Sequence, residues 1–292
     1  MNSADLRARL AKGEAVLIAL PDRAHFRLTG SDRVRYLNGQ VSNDVRKATS
    51  DEALPACVMN AKGKMNGLIW ITAGPDALHF DSEGELAESL ALRLERYIIS
   101  DDAELADVTD TFTLFHCLGP LPAHLPDGCA AIRSRRYGME GTDLRCSAGA
   151  EAIAFGLPVV PEETVEVFRI EQGIPKWGAE LDENTLPAEA GLDDTAIDFH
   201  KGCYIGQEIV SRSKSVGRVN QKLTGLISET ILPPGTPVQS NDKESGEITS
   251  SAWSFALEKA VSLGYLKRGM EEAALTADGQ PVKIRPLPLS AD

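Results

Sequence analysis

Cys203 is the residue whose surroundings in the sequence most favour chemistry. It lies in His200-Lys-Gly-Cys-Tyr-Ile-Gly-Gln-Glu208, where two glycines four residues apart flank it. This spacing predicts a tight turn whose backbone closely approaches another part of the molecule. The positive charge of Lys201 would favour the thiolate, which is the reactive form of cysteine. If a helix begins at Gln207, the unpaired backbone amides at its start would favour the thiolate as well. The alternative is a buried cysteine that acts only as a small hydrophobic residue.

Composition and charge narrow the class of protein. The 292 residues are enough for two or three structural units, and the net charge of −13 disfavours general nucleic-acid binding. The five cysteines are an odd number with no Cys-x-x-Cys pair, which favours a reducing compartment and disfavours a metal site built by this chain alone. The apolar run 15–20 is too short to cross a membrane, and Asp5 and Glu14 argue against a transit peptide. We therefore expect a cytoplasmic, bacterial-type protein without a membrane anchor.

The elements that must position Cys203 are visible as periodic segments. Hydrophobic patterns predict strands at 15–20, 25–28 and 111–118, a hairpin over 57–72 turning at Lys62-Gly63, and helices at 83–99 and 164–172. A further helix begins at Ser31 or Asp32 and ends near Asn43-Asp44, where Asn and Asp are typical local caps. The residues after Gln207 are compatible with either a helix or a strand. Beyond Val219, short strands broken by Pro and Gly predict a small antiparallel barrel or sandwich.

Several motifs together resemble one family. Lys201-Gly-Cys-Tyr-Ile-Gly-Gln-Glu208 resembles the signature of the YgfZ-type folate-binding proteins, which are relatives of the glycine-cleavage T-protein (aminomethyltransferase) and serve iron–sulfur protein maturation. The segments 30–44, 168–178 and 184–192 resemble further blocks of the T-protein superfamily. Leu263-Gly-Tyr-Leu-Lys267 resembles the end of its barrel, and 135–144 is a degenerate form of its Arg-x-Gly-Tyr-Thr-Gly-Glu motif.

The resemblance implies an α+β, T-protein-like fold. In it, two intertwined ferredoxin-like subdomains surround a central pocket, and an antiparallel β-barrel follows. We predict a folate-binding region over 1–215 and a barrel domain over 216–292. Within the first region, one subdomain would combine 1–48 with 162–215, and the other would cover 49–161.

The same resemblance implies tetrahydrofolate, or a derivative, as the cofactor. The side chains predicted to form this site, beside the reactive Cys203 and Lys201, are Asn43, Asp44, Arg169, Glu171, Trp177, Tyr204, Gln207, Glu208 and Arg212. Arg169 has the donor geometry to bind a carboxylate or phosphate, and Trp177 offers a flat face for a pterin. A surface ion pair between Arg169 and Glu171, and a core position for Trp177, are the alternatives.

The residues of the hairpin bear on the choice between two functions. In the T-protein, the matching hairpin carries an aspartate that aminomethyl transfer requires, whereas residues 58–73 of this chain contain no acidic residue. We therefore expect an accessory protein for iron–sulfur cluster assembly or repair, whose partners are assembly proteins or client enzymes. A folate-dependent aminomethyltransferase or demethylase-like enzyme is the first alternative. The second is a tRNA-modification factor, supported only by Arg212, Lys214, Arg218 and Lys222 in an otherwise acidic chain.

Overall fold

The protein was analysed as a computed structural model that describes residues 1–216, 219–270 and 273–290. Its helices are α1 (Ser3–Ala11), α2 (Arg33–Gln40), α3 (Ala87–Glu95), α4 (Glu162–Gln172) and α5 (Gln207–Val216). The strands before α4 are β1 (Val16–Leu20), β2 (Arg23–Thr29), β3 (Leu54–Met59), β4 (Met65–Ala73), β5 (Leu78–Glu83), β6 (Glu104–Asp107), β7 (Phe112–Leu118), β8 (Cys129–Ser134) and β9 (Gly141–Ser147). The strands after α5 are β10 (Gln221–Ser228), β11 (Pro237–Ser240), β12 (Lys243–Ser254), β13 (Lys259–Lys267), β14 (Leu275–Ala277) and β15 (Gln280–Arg285).

Two antiparallel sheets form the first part of the chain. The five-stranded sheet has the order β3-β4-β5-β2-β6, and the four-stranded sheet has the order β1-β7-β9-β8. Helices α2 and α3 cover one face of the larger sheet, with Leu37 and Leu90 in a core that includes Phe26 and Ile69. Helices α1 and α4 pack on the smaller sheet. In the larger sheet, burial along most of β4 alternates with the strand period of two.

The strand pairing differs from the predicted subdomain bounds. Strand β1 joins β7 in the smaller sheet, while β2, only two residues further on, pairs with β5 and β6 in the larger one. Residues 49–161 consequently contribute strands to both sheets. The chain crosses from one sheet to the other at Pro21-Asp22, and sequence patterns do not show which strands become neighbours.

Strands β10 to β15 close into a barrel of order β10-β13-β12-β11-β14-β15, with β15 pairing back to β10. The prediction of an α+β fold followed by an antiparallel barrel is confirmed. The hairpin of β3 and β4 is also present, with Gly63 in the left-handed region at φ +70°. Helix α2 ends at Gln40, earlier than predicted, because Val41 is extended and bridges to Val58 of β3.

Cys129 and Cys146 form a disulfide across β8 and β9. The sequence argument for a reducing compartment treated the cysteines as unpaired and did not foresee this bond. The two residues are 17 positions apart, and only the register of the hairpin places them opposite each other. The cysteine count therefore no longer supports a reducing compartment.

Among the described residues, none of the helices combines the length and the apolar character needed to span a bilayer.

Candidate functional site

The cysteine turn, residues 200–206, lies against the hairpin of β3 and β4. Gly206 has φ +87°, and a Cβ atom there would lie 2.8 Å from the carbonyl oxygen of Asn60 and 3.2 Å from Cα of Gly63. Only glycine fits both this backbone conformation and this close approach. Helix α5 then begins at Gln207, whose amide donates to the carbonyl of Tyr204. The predicted tight turn with a close backbone contact is therefore present, and the segment after it is a helix.

Cys203 is exposed on this turn, whereas Cys57 and Cys117 are buried. Burial raises the pKa of the Cys57 thiol to about 12 and also raises the pKa of Cys117. A thiol must be both accessible and deprotonated to act as a nucleophile or a metal ligand. Among the free cysteines of the described residues, Cys203 alone is open to a reagent or partner.

The ammonium group of Lys201 binds backbone carbonyl oxygens. Its side chain is buried, and its Nζ donates to the carbonyl oxygens of Asn38, Val41 and Asn43, each at 2.7 Å. An ammonium group has three donors, so these carbonyls occupy all of them. Burial lowers the pKa of Lys201 to about 8, and the nearby carboxylates of Asp44 and Asp198 oppose this shift. Lys201 thus caps the end of α2 and fixes the cysteine turn, and it has no donor left for the thiol.

Replacing Lys201 with methionine should therefore reduce stability rather than thiol reactivity. The carbonyls of Asn38, Val41 and Asn43 would lose their shared donor, and we expect the free energy of unfolding to fall by about 3 kcal/mol. Urea unfolding of the wild-type and variant proteins measures this loss. An unchanged unfolding midpoint would contradict the capping role.

The other predicted residues of the turn and α5 differ in how far they are buried. Tyr204 is buried in a core cluster with Cys57 and Val210, and burial raises its pKa to about 12. Gln207 is half-buried at the start of α5. Glu208 and Arg212 are exposed one turn apart, with 3.0 Å between the Arg212 guanidinium and the Glu208 carboxylate. The turn thus brings Tyr204 inward and leaves this ion pair on the surface.

Asn43 and Asp44 are buried near Lys201, but local contacts occupy their polar groups. The Asn43 amide donates to the carbonyl of Pro55 at 2.9 Å, and its oxygen accepts from the Asp44 amide. Asp44 caps the short 3-10 helix Val45–Lys47 and binds Arg46 at 2.7 Å, which lowers the pKa of Asp44. Asp44 acts here as the local cap that its composition suggested, whereas the Asn43 amide binds the carbonyl groups of other segments.

Arg169 and Glu171 lie where α4 meets the barrel. The Arg169 guanidinium contacts Glu166, Glu180, the Ile174 carbonyl and the Ser250 hydroxyl, so its five donors are occupied. Glu171 accepts hydrogen bonds from Arg7 and Ser254. The surface ion pair considered between Arg169 and Glu171 is absent from the described residues, because each side chain binds other partners.

Trp177 is half-buried between two core clusters. Its ring packs against the core of the larger sheet and against the cluster that contains Tyr204. This position matches the core alternative more closely than an open aromatic face.

A buried charged network between the two sheets was missed by the sequence analysis. Arg136 donates to Asp81 of β5 at 2.6 Å and to Asp143 of β9 at 2.8 Å, and its guanidinium lies 4.8 Å from the ring centre of Trp70. His116 of β7 contacts the same Asp143 at 2.7 Å. The network lines a cavity of about 20 Å³ between the sheets. The alternation of polar and apolar residues along β5 and β9 was the available signal, but alternation alone cannot distinguish a solvent face from a polar interior.

The charges in this network hold one another in place. Burial alone would raise the pKa of Asp81, but Arg136 and Arg23 beside it keep the value at about 2. The two carboxylates likewise raise the pKa of Arg136, against the effect of its burial. Asp81 and Arg136 are therefore ionised at neutral pH, and Arg136 joins the two sheets through charge-assisted hydrogen bonds.

Two histidines beside this network predict a loss of stability in acid. Burial lowers the pKa of His79 to about 4, helped by the charges of Arg145 and Arg27, and burial also lowers the pKa of His25. Unfolded histidines titrate near 6.5, so the unfolded chain binds protons between pH 6.5 and 4 that the folded chain does not. We expect the free energy of unfolding to fall by about 2 kcal/mol between pH 7 and pH 4.5. A His79→Gln variant should show a shallower fall in urea titrations, and an identical slope would contradict this assignment.

Comparison with known proteins shows what the chain is similar to. The model of the glycine cleavage T-protein C-terminal barrel domain matches residues 221–288, which cover β10 to β15. An iron–sulfur cluster assembly factor IBA57 homolog from Dictyostelium discoideum is 23% identical over 83% of this chain. The tRNA-modifying protein YgfZ of Sodalis glossinidius is 27% identical over 75% of it. These similarities support a YgfZ-type, T-protein-like family for the chain.

The similarity extends beyond the barrel. The chain spans 67% of the Dictyostelium relative's length and 73% of the Sodalis relative's length. The crystal structure of the glycine cleavage system aminomethyltransferase T from Bartonella henselae superposes with a TM-score of 0.82, covering 94% of this chain and 86% of that one at 16% identity. That likeness shows that the chain has the T-protein fold in both its α+β part and its barrel.

Proposed function

We propose that this chain is an accessory protein for the assembly or repair of iron–sulfur clusters and that the thiol of Cys203 is its reactive group. The observation that carries the proposal is an exposed cysteine on a turn held rigidly by Lys201 and Gly206. The relatives named as iron–sulfur cluster assembly factors support the choice of pathway.

The chemistry follows from what one thiolate can do. A thiolate binds iron and attacks sulfur species, but one cysteine cannot hold a cluster, which needs several ligands. Within the described ranges, no three His, Cys, Asp or Glu side chains gather as a metal site. Cys203 therefore acts together with ligands from a second protein, either an assembly protein or a client enzyme, with the cluster as cargo.

Tetrahydrofolate does not fit the predicted residues in the conformation described. Intramolecular hydrogen bonds occupy the side chains of Asn43, Asp44, Arg169 and Glu171. The cavity between the sheets, about 20 Å³, has room for a water molecule and not for a pterin. The proposed function therefore depends on the thiol and includes no step through folate. A tetrahydrofolate titration followed by tryptophan fluorescence tests whether the ligand binds at another place.

Removing the gene is the direct test of this function. Cells without the chain should lose activity in enzymes that carry iron–sulfur clusters and retain activity in enzymes without clusters. A plasmid copy should restore the loss. Equal activity of both enzyme classes with and without the chain would contradict the proposal. The proposed location is the cytoplasm, which fractionation of the same cells checks.

The competing function is folate-dependent one-carbon transfer. The T-protein fold favours it, but the β3–β4 hairpin carries no carboxylate. The nearest alternatives, Asp81 and Asp143, are both bound to Arg136. We therefore predict no turnover when the purified protein is supplied with tetrahydrofolate and a methylamine donor. Formaldehyde transfer above the rate of a protein-free control would show that the chain is an enzyme.

A role in tRNA modification rests on the name of the Sodalis relative and on the basic segment. Within that segment, Arg212 pairs with Glu208, and Lys214 Nζ lies 3.5 Å from the ring centre of Phe199. Lys222 is exposed, and Arg218 lies outside the described residues. Arg212 and Lys214 already have local contacts, so this surface is weak support for RNA binding. The exposed thiol is stronger support for cluster chemistry.

A further inference from the structure

Basic side chains gather around Phe112 at one end of the cleft between the two sheets. The Arg145 guanidinium lies 5.2 Å from the Phe112 ring centre, and the rings of His25 and His79 lie at 5.8 and 6.1 Å. Arg27 is the direct cross-strand partner of His79. Strands β2, β5 and β9 thus contribute two arginines and two histidines to one small region, in a chain of net charge −13.

Arg27 and Arg145 differ from the neighbouring arginines Arg23 and Arg136 in their ion pairs. Arg23 and Arg136 both bind Asp81, and each also binds a second carboxylate. Within the part of the chain that the structure describes, neither Arg27 nor Arg145 forms a salt bridge. Arg145 is half-buried and donates to the Thr72 hydroxyl at 3.3 Å, a long contact for a charged donor. A partly buried guanidinium without a carboxylate is costly unless an anion compensates it.

A second observation also points to a ligand. The Nδ1 atom of His79 is buried and has no hydrogen-bond partner in the described structure. Buried polar atoms in proteins nearly always have a partner in the protein or in ordered water, so this atom, close to an arginine that forms no ion pair within the described residues, marks a place that a polar ligand atom or a water molecule would occupy. His25, His79, Thr72 and Arg145 all line the cavity of about 20 Å³.

We propose that this cluster, formed by Arg27, His79 and Arg145 around Phe112, is a binding site for the carboxylate group of a small molecule. A guanidinium pairs with the two oxygens of a carboxylate in one plane, and this cluster offers one half-buried guanidinium, Arg145, and one exposed guanidinium, Arg27. A phosphate has a third and fourth oxygen and a larger charge, which this small cavity would leave without donors. This site is separate from Cys203 and does not depend on the proposed function.

Binding at this site is linked to proton uptake. The ionisable groups that face His79 are His25 and Arg27 on β2, Asp81 on its own strand and Arg145 on β9; Arg136, Arg23 and Asp143 lie behind Asp81. A carboxylate beside His79 offsets the repulsion from Arg145 and Arg27 that now disfavours the protonated ring. The pKa of His79 should therefore rise when the site is filled, and the carboxylate should bind more tightly as the pH falls.

Histidine NMR can test this site directly, because the chain has five histidines. The His79 ring resonance is assigned with His79→Gln, and its titration is followed while acetate replaces chloride at constant ionic strength. We expect saturable binding, with an upward shift of the His79 pKa by about one unit or more. Arg145→Gln should weaken acetate binding at least about tenfold. Arg135→Gln removes an exposed arginine near the same hairpin and should leave the binding curve unchanged.

Three results would overturn the proposal. One is the absence of a saturable rise in the pKa of His79 as acetate is added. Another is an equal shift in the Arg145→Gln protein, which circular dichroism must show to be folded. The third is a response to inorganic phosphate or chloride at lower concentrations than to acetate, which would show that the site is not selective for a carboxylate.

Discussion

Cells that depend on a Cys203→Ser copy of this chain should lose at least about nine-tenths of their cluster-dependent enzyme activity. Serine keeps the size and polarity of the side chain but has no accessible anionic form that could bind iron or sulfur. Because Cys203 is exposed, we expect the unfolding free energy to stay within about 0.5 kcal/mol of the wild-type value. The loss of enzyme activity would then result from the missing thiol and not from unfolding of the protein. Enzyme assays in extracts, together with urea unfolding of the purified variant, measure the two effects separately.

His200→Ala is the matched control for this substitution. His200 is exposed three residues before Cys203, and it is a side chain of the same turn that could affect chemistry. Cluster-dependent activity should be unchanged in this variant. Full activity of the Cys203→Ser cells would remove the thiol from the function and leave the cysteine turn with a structural role only.

Replacing Arg136 with methionine should destabilise the protein by about 3–5 kcal/mol. The side chain is 8% exposed, and its loss would leave Asp143 buried with only His116 as its partner and Asp81 with only Arg23. Breaking a buried ion pair is expensive because the remaining charge stays uncompensated. Denaturant unfolding at pH 7 measures the effect.

Two comparison variants separate charge burial from lost packing. Arg135→Met changes the neighbouring arginine, which is exposed and lies 3.9 Å from Glu140, so its effect should be below about 0.5 kcal/mol. Adding Asp143→Asn to Arg136→Met removes one stranded charge and should recover part of the loss. If the double variant is less stable than Arg136→Met, packing and not the unpaired charge is responsible.

The elements nearest Cys203 were predictable because their signals are local. The glycines flanking the cysteine predicted the tight turn, and Gly206 adopts the positive φ angle that it requires. The alternation around Lys62-Gly63 predicted the hairpin of β3 and β4. The Pro- and Gly-broken strands after Val219 predicted the barrel. In the turn and the hairpin, the residues that form the pattern are also the residues that contact one another.

The contacts that sequence could not predict join distant positions. Lys201 meets Val41 across 160 residues, and Arg169 meets Ser250 across 81. A sequence motif shows that such a residue is unusual, but it does not show which distant residue it binds. For this reason, the sequence did not show that the Lys201 ammonium group binds the carbonyl oxygens at the end of α2. The same limit hid the network around Arg136, whose partners lie in two different sheets.

Alkylation of the native protein tests most directly the central claim, that Cys203 is the accessible reactive thiol. Iodoacetamide should modify one cysteine per chain rapidly, and mass spectrometry should identify it as Cys203. Unfolding without a reductant should expose Cys57 and Cys117 as well, while Cys129 and Cys146 should react only after reduction of their disulfide. If native Cys203 is no faster to react than Cys57, the claim is contradicted.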